Sequence, residues 1–165
     1  MSAAAAVAAC HWHEPGGPDA AQAICAFLAG IGIVVEIASP DTHRFVPGMT
    51  IVAGRIVVDP AGGGHPGDLL HEAGHIAVAE PELRATMSAV GTDAGEEMAA
   101  IAWSVAAARA CGVPLTVLFH PEGYKGDAAS LIENFEAGRT FGVPLLAWYG
   151  LTTESDFPAM KRWLR

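Results

Sequence analysis

The stretch Gly67-Asp68-Leu69-Leu70-His71-Glu72-Ala73-Gly74-His75-Ile76-Ala77-Val78 decides the fold. Asp68 is placed to cap a helix that runs to about Ala79, where Pro81 biases its predecessor away from helical geometry. Leu69, Leu70, Ile76 and Val78 can anchor that helix in a core. His71 and His75 then lie one turn apart and project side by side, so two imidazoles can bind one Zn²⁺ at ~2.0–2.1 Å. Glu72, three positions before His75, is close enough to reach a water on such an ion without ligating it, which suits a general base. Zinc lowers the pKa of that water to around 7, and the carboxylate can pass the proton to a leaving amine.

Upstream, Pro60 to Gly67 is glycine-rich and lacks the strand, spacing and lysine of a phosphate loop, so Gly62–Gly64 is expected as a hinge over the site. Met49 to Asp59 predicts two β-branched strands around a tight turn at Gly54-Arg55, and Ile33 to Ile37 predicts another. Ala20 to Ala29 is a first helix, with Asp19 as cap and Gly30 as stop, and residues 1–18 are expected as a mobile lead-in. Downstream, Gly95 to Ala110 has strong helical composition and a stop at Gly112, Asp127 to Ala137 is a capped helix ending at Gly138, and Ser155 to Leu164 is a last short helix. Gly-Val-Pro-Leu at 112–115 and 142–145 marks two helix exits solved alike. The pattern is α+β: one domain over 1–165, with a small, mostly antiparallel sheet packed on the His71–His75 helix and a second long helix.

Its 165 residues, 52% of them hydrophobic, suffice for one unaided core. The net charge of −9 repels phosphate backbones and anionic headgroups, which argues against nucleic acid and membrane partners. No stretch approaches the ~20 apolar residues of a membrane span. Cys10, Cys25 and Cys111 are an odd, scattered set, expected to be reduced and buried, and the start lacks the positive region of a secretory signal. A cytoplasmic location follows as the expectation, and the apolar composition is compatible with a homodimer.

The His71-Glu72-Ala73-Gly74-His75 run resembles the active-site helix of zincin metallopeptidases. The metzincin branch would need glycine and histidine where this chain has Val78 and Pro81. Gluzincins take a glutamate from the following helix, and Glu97-Met98-Ala99-Ala100-Ile101-Ala102 is similar to the Glu-Ala-Asn-x-Phe-Ala stretch of short bacterial gluzincins of the ImmA/IrrE type. Ala99 stands where that family has asparagine, and the likeness spans mainly residues 50 to 110. The resemblance implies a compact zincin-like domain, one Zn²⁺ on His71, His75 and Glu97 with Glu96 as the second choice, and Glu72 as base. It also implies that Tyr124 or His120, beyond the second helix, stabilises a developing oxyanion. The alternative reading of the glutamates is favourable placement at a helix start.

Asp59, Asp93 and Asp68 are candidates to hold the free ring nitrogens of the histidines. His11 and His13 stand two apart in a near-terminal segment and are read as non-functional, while His65 sits on a hinge from which it can approach the metal. Trp103, Trp148 and Trp163 are read as packing residues. Zinc-dependent hydrolysis of short peptides or exposed protein loops is the expected activity, with the substrate pairing along the strand near Arg55 to Asp59. The alternative is a non-catalytic metal-binding regulatory protein on the same scaffold.

Overall fold

A computed structural model describes residues 1–39, 48–91 and 93–165. Helices α1 (Ala3–Ala8) and α2 (Gly17–Ile31) come first, followed by strands β1 (Val35–Ile37), β2 (Met49–Val52) and β3 (Arg55–Val58). Helices α3 (Pro66–Val78), α4 (Pro81–Arg84), α5 (Ala94–Ala110), α6 (Leu115–Leu118), α7 (Ala128–Glu136) and α8 (Val143–Trp148) complete the α+β chain.

The β-branched run at 49–58 forms the expected hairpin, with Met49 opposite Val58, but Val52 pairs with Arg55, so the turn is Ala53-Gly54, one residue before the expected Gly54-Arg55. The third strand changes the sheet: β1 pairs with β3 in parallel, Val35 with Ile56 and Ile37 with Val58. The sheet is therefore mixed, in the order β1-β3-β2, rather than mostly antiparallel. Ile56, Val57 and Val58 fill its buried centre. This corrects the expectation for Arg55 to Asp59, because β3 has both edges bonded and offers no ladder to a substrate.

Helix α2 is longer than residues 20–29: Pro18 starts it and Gly32, in the left-handed conformation, ends it, leaving Asp19 in the first turn and Gly30 inside. The lead-in over 1–18 is folded against the body, since Val7 and Trp12 are buried and the His13 N–H donates to the Gly64 carbonyl at 2.9 Å. Helix α5 is apolar nearly all round and lies in the middle of the molecule, with Ala99 to Ala108 buried. Helix α3 packs along it, and Gly74 makes the crossing close: a Cβ there would sit 2.6 Å from the Ala100 carbonyl oxygen. One continuous apolar cluster joins Val7, the sheet, α3, α5 and Leu151.

Residues 155–164 form turns rather than a helix, as Pro158 and the polar Thr153-Glu154-Ser155-Asp156 run dictate. That segment lies across the end of α3, where the Arg165 N–H reaches the Ala77 carbonyl at 2.9 Å. The two Gly-Val-Pro segments open α6 and α8, so the second is a helix entrance. Cys10, Cys25 and Cys111 are free thiols, the last only half-buried. Trp103 is core and its indole N–H donates to the Trp163 carbonyl, whereas Trp148, at the last position of α8, is exposed. Among the described residues no helix is long and apolar enough to cross a membrane.

Candidate metal centre

Two helices bring the site together. On α3 the helical period places His71 and His75 side by side, with ring centroids 4.8 Å apart at 90° and their Nε2 atoms 3.2 Å apart. On α5 the Asp93 side chain caps the first turn by accepting the Glu96 N–H at 2.8 Å. Glu97 then faces α3: its Oε2 lies 2.9 Å from His75 Nε2 and its Oε1 3.3 Å from His71 Nε2. Glu96, about 100° further round the helix, is turned toward Gly91 instead. Around a tetrahedral ion with bonds of ~2.0–2.1 Å, neighbouring donors are about 3.3 Å apart. His71, His75 and Glu97 match that spacing and could hold a metal ion.

The charges respond to this crowding. Hydrogen bonds from the His71 and His75 rings hold the Glu97 carboxyl far below the usual carboxylate range, against the opposing effect of burial. Burial alone would lower the pKa of His71, but its bond to Glu97 and the charges of Glu97, Glu72 and Asp68 outweigh it and the net shift is upward. Burial raises the Glu72 carboxyl, a shift the neighbouring His71 and His75 rings only partly oppose.

Tyr124 packs edge-on to His71, ring centroids 5.2 Å apart. It stands in a 3-10 turn with Lys125, both in the left-handed region at φ 56 and 54. Non-glycine residues reach that region only at a cost of order 1 kcal/mol, so the turn stores strain beside the site. The Tyr124 hydroxyl is buried without a hydrogen-bond partner, and burial with the nearby carboxylates of Asp68, Glu97 and Glu72 drives its pKa well above the ordinary value. A cleft of about 530 Å³ opens next to it, with Glu97 and Asp93 on its wall and Ile101 and Leu131 as its apolar side.

His120 is engaged by other groups: its Nε2 is 2.7 Å from Asp68 Oδ1 and its ring stacks on His65. Asp68 is consequently not the cap of α3; that position belongs to His65, followed by Pro66. Asp93 caps α5 and Asp59 accepts the Ala61 N–H at 2.9 Å, while His71 Nδ1 is buried without a partner. His11 and His13 do face each other, edge to face at 5.3 Å, because their segment is extended rather than helical. The cluster around His65 was not read from the sequence. Its trace there is that His65 and His120 each precede a proline, which stiffens the loop carrying the ring.

No protein-family model, curated protein or solved structure matches the chain.

Proposed function

We propose that the chain is a zinc-dependent peptide hydrolase of gluzincin type. The observation that carries this reading is the convergence of His71 Nε2, His75 Nε2 and the Glu97 carboxylate at ion-binding spacing, with Glu72 beside them. When bound, Zn²⁺ supplies a Lewis acid for the scissile carbonyl and lowers the pKa of water toward 7.

The remaining steps belong to the protein. Glu72, its carboxyl raised by burial, accepts the proton of the attacking water and returns it to the amine that leaves. Tyr124, whose hydroxyl lacks a partner, donates to the developing oxyanion; donors so aimed contribute several kcal/mol to the barrier. The cleft takes the peptide, its apolar side against Ile101 and Leu131 and its open rim near Lys125 and Asp127. A cleft of this size favours short peptides and exposed loops.

Glu72→Gln tests the reading. With a mixture of quenched fluorogenic peptides, the zinc-loaded protein is expected to cleave, and the variant to lose about 10²–10⁴-fold of that rate with its zinc content intact. Equal cleavage by both forms would remove Glu72 as base. No cleavage by the zinc-loaded native chain would favour a non-catalytic metal-binding protein.

A further inference from the structure

A second group of donors lies one helical turn before His71. His65, at the N-cap of α3, and His120, after α6, stack face to face with centroids 3.8 Å apart and planes within 2°. Asp68 in the first turn of α3 touches His120 Nε2 at 2.7 Å, and Glu122 lies 3.4 Å from His65 Nε2. The ring of His13 is 5.1 Å from that of His65, and its Nε2 lies so close over Gly63 that a Cβ there would sit 2.7 Å away.

The two stacked histidines are deeply buried, while Asp68 keeps 38% of its side chain exposed. The His65 and His120 side chains are only 11% and 4% exposed. His120 Nδ1 is buried with no hydrogen-bond partner, and an unpaired buried polar atom costs roughly 1–3 kcal/mol. Imidazole nitrogens with an adjacent carboxylate are the donor set that borderline divalent ions select. Donor atoms of His65, Asp68 and His120 all lie within 4.8 Å of one another.

We propose that His65, Asp68 and His120 form a second site for a divalent transition metal, separate from the His71–His75–Glu97 centre. The His65 and His120 rings stack in parallel planes, so one of them must turn about its Cβ–Cγ bond for both nitrogens to reach one ion. An ion there ties the start of α3 to the loop that carries Tyr124.

The test counts zinc. The full chain is stripped with chelator, and Zn²⁺ is titrated against a chromogenic competitor for the native protein, His71→Ala, His120→Ala and the double variant. Two equivalents are expected for the native chain, one for each single variant and none for the double. In His71→Ala the remaining equivalent is expected to raise the unfolding temperature. One equivalent in the native chain together with none in His71→Ala, or two retained in His120→Ala, would overturn the site. Should His120→Ala not fold, Asp68→Asn and His65→Gln carry the same expectation of one equivalent lost. Because His120→Ala keeps the first centre, its remaining equivalent separates failure of this site from failure of the proposed hydrolase centre.

Discussion

Gly74→Ala keeps both histidines and Glu72 yet is expected to spoil the metal centre. The new methyl group would meet the Ala100 carbonyl oxygen at 2.6 Å and the Ala100 carbon atoms at 3.2 Å. Comfortable contact begins near 3.4 Å, so α5 must retreat by about 0.8 Å, or α3 must tilt. Ala100 is nearly one turn after Glu97 on the same helix face, and the shift is therefore passed to the carboxylate. Metal sites tolerate about 0.2 Å in their bond lengths. A 10–100-fold loss of zinc affinity is expected, the range seen when support around ligands is disturbed. The effect on stability is smaller, because about 1 kcal/mol of helix propensity gained by alanine offsets part of an overpacking cost of 1–3 kcal/mol. Zinc competition titration and thermal unfolding, run on the same preparations, separate the two. Unchanged zinc affinity would refute the claim that the α3–α5 spacing sets the donor geometry, whether or not the unfolding temperature moved.

Zinc affinity should fall on acidification. His71 has a pKa raised above its ordinary 6.5 by Glu97, so proton competition begins above that pH and costs about tenfold per unit once established; a flat profile from pH 8 to 5.5 would count against it. The metal-free chain has its own optimum. The His71 contribution is fully present below 6.5 and lost as pH rises through the raised value, while that of Glu97 is present above its ordinary 4.5 and lost as pH falls. Its unfolding temperature is thus expected to peak between those values. Arg84→Ala should destabilise by about 1–3 kcal/mol, read from the denaturation midpoint. The guanidinium donates to the Ile76 carbonyl at 3.0 Å and the Arg165 carbonyl at 2.7 Å, and the end of α3 has no other side-chain cap of that reach among the described residues apart from Arg165.

What could be read from the sequence was local. The β2–β3 hairpin follows from β-branched residues on both sides of Gly54, its turn falling one residue earlier than expected, and α3 and α5 follow from composition and period. Glu97 rather than Glu96 was legible through the resemblance alone; the structure adds the reason, a 100° difference in direction on α5. What escaped was long-range. The parallel pairing of β1 with β3, the stacking of His65 on His120 across 55 positions of chain and the return of residues 150–165 to the end of α3 depend on how elements dock. No window of neighbouring residues encodes those contacts.

Helix α3 unites the local and the long-range parts. Its polar side chains Asp68, His71, Glu72 and His75 fall at i, i+3, i+4 and i+7, a single stripe, while Leu69, Leu70, Ala73, Ile76 and Ala77 are buried on the remaining faces. A stripe of that kind ordinarily faces water. Here α5 and the 119–127 loop cover much of it, and His75 is only 5% exposed. Covering ionisable groups even in part is costly unless each finds a partner of suitable charge. Glu97 supplies one end and His120 the other, but His71 Nδ1, His120 Nδ1 and the Tyr124 hydroxyl are still left unpaired in the buried interior. A sequence selected for stability alone would place apolar residues along that stripe. Retention of the ionisable set under such cover is therefore a physical argument for ligand binding along α3 that does not depend on the His-Glu-x-x-His spelling.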